Sequence, residues 1–301
     1  MSHALPTVIA HIQGGLGNQL FCYATARAVS LRNGLDLKLN TRTSYRNEKY
    51  QRDCLLHRFN IDAKQAGAWQ AYRGLFGRTR RSFSAKRDAK KPLGQRTLIK
   101  EPRDQRFMPE LLELKPSKHV YLLGYWQDER YFADARSTLL NEFTLSDQAA
   151  LKPDAALDER TRQPDTVSVH CRSYSEVANP PPGLVLGVDY YKRAFETVLD
   201  RVPEATFVVF SDDRRWAKQL IDATGFASRT HYAPTPTGEP TNATLMDFTL
   251  MRQCRHHVVA NSSFSWWTAW LGERAGSVVV APSIGLPGHG RLPLRWVHKG
   301  V

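Results

Sequence analysis

The order of apolar runs and chain breakers predicts an α/β protein built from two doubly wound parallel layers. Three observations carry that expectation. Residues 7–12 form an apolar, β-branched run that passes through a glycine turn into a helical pattern and then a second strand. After residue 166 the same rhythm returns, with apolar runs at 166–171, 205–210, 256–260 and 277–281 separated by helical stretches. Between the halves a polar stretch ends at Pro164, which predicts domains at 1–160 and 161–301 facing one central cleft.

In chain order, Gly14-Gly15-Leu16-Gly17 reads as a tight turn, and Asn18 is placed to cap a helix. The apolar face of that helix runs through Phe21, Ala24, Ala28 and Leu31 and stops at Asn33-Gly34; residues 35–39 are the second strand. From 45 to 106 the periodicity weakens, and short helices and loops are expected. Residues 119–125 are strand-like, and 128–141 carry helical spacing through Tyr131, Phe132, Ala135 and Leu139. Another helix begins the stretch 146–162. In the second half 189–201, 214–224 and 242–254 read as helices, as does the run from 263 to about 275. Pro180-Pro181-Pro182-Gly183 marks a loop.

Composition narrows the class. A 42% hydrophobic content over 301 residues can build real cores, and 24% charged residues with scattered prolines argue against disorder. The longest apolar runs are too short to cross a bilayer, and residues 1–8 lack a signal-peptide pattern, so a cytoplasmic location is expected. The widely spaced Cys22, Cys54, Cys171 and Cys254 are expected as free thiols binding no metal. The net charge of +13 is uneven: twelve Lys/Arg and three acids lie between Arg73 and Arg106, a local excess of nine. Such a patch suits an anionic membrane surface, a polyphosphate-bearing substrate or a solvated face. Nucleic acid is disfavoured because no reader motif accompanies the charge.

Four clusters fall at strand carboxyl ends, where open α/β sheets bind ligands. Gly14, Gly15 and Gly17 let a ligand approach the backbone ahead of a helix N-terminus, which favours an anion or a hydroxyl-rich group. Asn18 adds a polar side chain there or serves only as the cap. His170 and Arg172 offer an imidazole and a guanidinium fork to a diphosphate; the plainer alternative is a core His and a surface Arg. Asp212 and Asp213 can read a purine edge, hold Mg²⁺ as paired acids, or cap the next helix. Ser263, Phe264 and Ser265 begin a helix whose N–H and hydroxyl donors suit a phosphate, with Trp266, Trp267 and Trp270 packing it on the sheet.

Together these stretches resemble the bacterial α-1,2-fucosyltransferases of glycosyltransferase family 11. GGLGNQLFCYA from Gly14 is similar to the family's GGLGNQMFQYA, and LGYWQDERYF from Leu123 to its GYFQSEKYF. DYYKRA from Asp189, FVVFSDD from Phe207 and CRHHVVANSSFSWWTAWL from Cys254 match three more blocks in the right order. The resemblance implies a GT-B-like fold, with residues 1–160 on the acceptor side carrying the basic insertion and residues 161–301 binding GDP-fucose. It implies inverting transfer of L-fucose, or a related 6-deoxy sugar, to a galactoside-type glycan in surface polysaccharide or O-antigen synthesis, without a metal. The acceptor would be a lipid-linked glycan, with peripheral membrane contact through 73–106. His170 and Arg172 inherit the diphosphate role, Asp212 or Asp213 the guanine role, Ser263 and Ser265 the β-phosphate role, and Asn18 contact with the sugar.

One block departs. The family usually reads His-x-Arg-Arg-Gly-Asp-Tyr, whereas this chain has His170-Cys171-Arg172-Ser173-Tyr174-Ser175-Glu176. Glu176, one residue beyond the missing Asp, is the substitute candidate for catalytic base. The departure keeps open a GDP-sugar-binding relative with another acceptor or linkage, or with little catalysis.

Overall fold

Thr7–His11 (β1) is buried along its whole length, as the unbroken apolar run requires of a strand covered on both faces. The computed structural model describes residues 6–45, 52–74, 76–147, 151–234, 239–283 and 292–300. These divide into two compact units, one ending at Ser146 and the other beginning at Asp147.

In the first unit β1 leads into Leu16–Asn33 (α1), which buries Leu20, Phe21, Ala24 and Ala28. Gly34 ends α1 in the left-handed region at φ 60°, returning its N–H to Leu31 at 3.3 Å. Then come Asp36–Asn40 (β2), Arg42–Tyr45 (α2), Lys64–Gln65 (β3), Gly77–Asp88 (α3), Leu98–Lys100 (β4), Val120–Leu123 (β5) and Arg136–Glu142 (α4). The sheet is parallel in the order β3-β2-β1-β5-β4, with Val8 between Leu37 and Val120. Glu142 ties α4 to α1, accepting from Tyr23 Oη and Arg27 at 2.8 Å each.

The second unit runs Ala155–Thr161 (α5), Thr166–Cys171 (β6), Val188–Leu199 (α6), Thr206–Ser211 (β7), Arg214–Asp222 (α7) and Thr230–Tyr232 (β8). Pro240–Gln253 (α8), His256–Val258 (β9), Ser263–Gly272 (α9), Val279–Pro282 (β10) and Val297–Lys299 (β11) complete it. Its parallel sheet has the order β11-β10-β9-β6-β7-β8. Counted from β6, that is the 3-2-1-4-5-6 order of a dinucleotide-binding sheet. Val167, Val169, Phe207 and Val209 pack on Phe195 of α6, whose ring stacks on Phe207 at 4.1 Å. Trp266, Trp267 and Trp270 are buried as expected of core aromatics, and Trp266 also meets Trp296 at 5.6 Å.

Two expectations need correction, and four short strands went unseen. Of the helix expected at 128–141, only α4 forms: the Asp128 carboxylate captures the Arg130 N–H at 3.0 Å and its guanidinium, holding this stretch in tight turns. The basic segment forms a three-turn helix and a strand, α3 and β4, rather than short helices and loops. Strands β3, β4, β8 and β11 are two or three residues long, too short to show alternation in the sequence. Among the described residues no helix is long and apolar enough to cross a membrane.

Candidate active site

In the second sheet the strand order reverses between β6 and β9, and the carboxyl ends there bound the crevice where such folds take ligands. His170 ends β6. Its ring is buried, 5.7 Å from Phe264, and its Nδ1 has no hydrogen-bond partner. Burial, aided by the Arg172 charge, lowers its pKa to about 3, so the imidazole is neutral at physiological pH.

Arg172 directly follows the end of β6. Its guanidinium bonds the carboxylates of both Asp212 and Glu176 and lies 4.7 Å from the Tyr174 ring centroid. Asp212, just beyond β7, also accepts from Ser173 N and Oγ at 2.8 Å each and from Tyr174 N at 3.2 Å. Burial pushes the Asp212 carboxyl up, but Arg172 and the Ser173 donors outweigh it and hold it below the usual range. The carboxylate thus organises the 172–174 loop.

Tyr174 stands where the resembled family carries Gly, and it keeps the backbone a glycine favours, at φ 55°. Its hydroxyl donates to Asn261 O, joining the loop after β6 to the loop after β9. Asn261 Nδ2 in turn donates to Gly183 O at 2.6 Å. No local pattern announces this tie, because its partners lie 87 residues apart.

Asp213 takes the plainest of its three roles: it caps α7, accepting from Trp216 N at 2.9 Å. At α9 the cap is Ser262, accepting from Phe264 N at 3.3 Å, and Ser263 opens the first turn. Ser265 is buried, and its hydroxyl meets Ala260 N at 3.2 Å and Ser262 O at 3.3 Å. Phe264 packs between His170 and Phe248. Arg214, at the start of α7, pairs with Asp247 of α8 at 2.8 Å, a contact the sequence reading missed. Burial raises the Asp247 pKa to about 6 against the pull of Arg214.

In the first sheet β1 lies beside β5, where the consecutive order β3-β2-β1 breaks, and the loops after these two strands hold the other candidate residues. Gly14 has φ 75°, and a Cβ there would lie 2.8 Å from Asn18 Nδ2, so only glycine fits. Gly15, not Asn18, is the N-cap of α1, and it supplies no side-chain cap. Gly17 is buried in the first turn. Asn18 Oδ1 instead accepts from Gln127 Nε2 at 2.7 Å, linking two of the sequence blocks. Gln19, fully buried, donates to Gly14 O at 3.0 Å and Asp53 O at 2.8 Å and accepts from Leu55 N at 2.8 Å. Glu101 holds the loop after β5, accepting from Tyr125 N at 2.7 Å and Trp126 N at 2.8 Å. It lay outside every block, and nothing in the sequence marked it.

The candidate residues therefore gather in two sets: Gly14, Gly15, Gly17 and Asn18 in the first unit, and His170, Arg172, Glu176, Asp212, Asp213, Ser263, Phe264 and Ser265 in the second. Among the described residues no group of three or more His, Cys, Asp or Glu is placed to hold a metal ion.

Comparison with known proteins fits this picture. The family described as Glycosyl transferase family 11 matches residues 7–285. An alpha-1,2-colitosyltransferase of Escherichia coli is 30% identical over 92% of this chain and 91% of its own. The O-antigen biosynthesis glycosyltransferase WbnK of Escherichia coli is 27% identical over 94% and 96% respectively. The crystal structure of fucosyltransferase NodZ from Bradyrhizobium superposes with a TM-score of 0.53 at 16% identity, covering 87% of this chain and 92% of that one, which is a likeness of fold. The expected α/β fold with two Rossmann-like sheets, GT-B-like in class, is the one observed. With a match over nearly the whole chain, this protein belongs to glycosyl transferase family 11 and is a glycosyltransferase.

Proposed function

We propose that this enzyme moves L-fucose, or a closely related 6-deoxy sugar, from its GDP-activated form to a hydroxyl of a galactoside-type glycan. The transfer inverts the anomeric carbon, forms an α-1,2 linkage and needs no metal. The acceptor glycan is lipid-linked and belongs to surface polysaccharide or O-antigen synthesis at the cytoplasmic face of the inner membrane. The observation that carries this reading is Arg172, a cation held at the switch point of a dinucleotide-type sheet beside a helix start. The relatives named for colitosyl transfer and O-antigen synthesis support the sugar class and the pathway.

In this mechanism the sugar–oxygen bond breaks as negative charge grows on the β-phosphate. Arg172 and the N–H groups opening α9 stabilise that charge, the task a metal ion performs elsewhere. Neutral His170 offers a hydrogen bond without adding charge. The acceptor hydroxyl attacks the opposite face of the sugar and gives up its proton. Glu176 can take that proton only after its pair with Arg172 parts.

A second reading, donor binding with little turnover, is favoured by Ser173-Tyr174-Ser175 standing where the family usually reads Arg-Gly-Asp. One experiment separates the two: GDP-fucose with a panel of galactosides, product linkage read by NMR, with and without chelator. An α-1,2-fucosylated product that survives chelation supports transfer. GDP binding by calorimetry with no product on any acceptor supports the second reading. Activity restored only by magnesium overturns the metal-free mechanism.

A further inference from the structure

Among the described residues five large apolar side chains are exposed, and Trp69, Phe76 and Phe83 are three of them, at 76%, 75% and 66%. Exposed aromatics scattered singly need no explanation; three within one short stretch do. The same stretch opens the segment with nine excess positive charges.

Helix α3 buries little apolar surface, with Ala85 packed on the cluster of Ile9, Leu98 and Tyr121, yet it exposes an aromatic ring. Its inner face carries half-buried Arg80, Arg81 and Ser84 and ends in buried Asp88, while Phe83 points outward with Arg78 and Lys86. Asp88 anchors it, accepting from Thr97 N at 2.7 Å and Leu98 N at 3.0 Å at the start of β4. Arg80 stacks its guanidinium 3.4 Å from the Trp69 ring centroid and donates to Trp69 O at 2.7 Å, so the exposed indole is braced. Against this helix lies a cavity of about 810 Å³ whose wall runs from Trp69 and Phe83 in to Ile9 and Tyr121. Pro6, Thr97 and His119 place it at the amino ends of β1, β4 and β5, the end of the sheet away from the glycine turn.

We propose that Trp69, Phe76 and Phe83, with the cations of α3, form a docking surface for an anionic lipid bilayer, and that the cavity behind them takes an apolar lipid chain. Aromatic rings enter the headgroup layer readily, and Arg and Lys beside them meet acidic headgroups. The proposal deepens the reading that the acceptor is lipid-linked, since docking brings the enzyme to the surface that carries it.

The test is co-sedimentation of the full chain with vesicles of phosphatidylcholine alone or mixed with phosphatidylglycerol. Binding is expected only to the acidic vesicles and weakens with added salt. The double variant Trp69→Ser/Phe83→Ser abolishes it, and Arg78→Gln and Lys86→Gln each weaken partitioning about fivefold. Turnover on a water-soluble galactoside stays at the wild-type rate in all of these variants. Equal binding to neutral vesicles overturns the proposal, as does binding that survives the aromatic double variant. Tighter binding to a DNA or RNA duplex than to acidic vesicles overturns it too. If the wild type binds acidic vesicles but transfers no sugar to any soluble acceptor, the functional reading fails while the docking surface stands.

Discussion

The loops after β6 and β9 of the second sheet and those after β1 and β5 of the first carry different side chains. At β6 and β9 the crevice carries an ion-paired guanidinium, a carboxylate below its usual pKa and a buried neutral imidazole. At β1 and β5 the loops carry glycines and an amide pair, Asn18 with Gln127, with the Glu101 carboxylate turned to the backbone N–H groups of Tyr125 and Trp126. Two parallel sheets of different strand order therefore present two chemistries. Fixed charge suits a diphosphate leaving group, whereas uncharged donors and acceptors with close backbone suit a hydroxyl-rich sugar.

The largest expected effect tests the charged crevice. Arg172→Ala lowers kcat by about 10²–10³-fold, the scale of losing one donor to developing oxyanion charge. Initial rates with saturating GDP-fucose check it, and a wild-type rate would remove the basis for assigning phosphate chemistry to the second sheet. The glycine-bearing loop of the first unit responds more mildly and in another parameter. Asn18→Ala is expected to lower kcat/KM about tenfold, the worth of one polar contact. GDP affinity by calorimetry stays unchanged, because the diphosphate is held by the other set. If GDP affinity falls instead, the division of labour between the crevices is wrong.

Acidification discriminates between the units through buried histidines. Burial holds His11 of the first at about 4, and His170 and His257 of the second at about 3, against an ordinary 6.5. Unfolded, these imidazoles take up a proton below pH 6.5; folded, they resist it. Stability present above that pH is therefore lost as pH falls, by about 2 kcal/mol per histidine near pH 5. Among the described residues the second unit holds more such groups, His256 also being lowered by burial, so it should lose stability more steeply. Unfolding free energies of His257→Gln and His11→Gln against pH measure it, each variant flattening the curve, and parallel curves for variant and wild type would refute the burial argument.

The smallest effect concerns the loop that distinguishes this chain from its family. Tyr174→Gly relieves a left-handed tyrosine, worth about 1 kcal/mol, but loses the tie to Asn261. The two nearly offset in thermal stability, while GDP binding weakens a few-fold as Arg172 loses the ring beside it. Tyr174→Phe keeps the ring and should retain GDP affinity. A larger loss in the Phe variant than in the Gly variant would show that the hydroxyl, not the ring, positions the guanidinium.

Local signals made much of this legible. The glycine turn, the strand end at 171, the strand expected at 205–210 and found at 206–211, and the serine-rich start of α9 are legible because each rests on backbone rules spanning a few residues. The roles of single side chains were less legible. Asn18 was expected at the cap and instead meets Gln127, 109 residues away; Asp213 is a cap; and Ser265 points into its own loop. Glu101, Tyr174 and Gln19 hold the site together through contacts that no spacing announces.

What the sequence determined by itself was the α/β rhythm, the family and the residue types gathered at strand ends, since apolar periodicity and glycine punctuation act along the chain. What only the tertiary structure decided was which carboxylate grips Arg172, which histidine is neutral and which face of the basic helix meets water. Those depend on burial and on partners brought close through space, and a linear order of residues does not carry them.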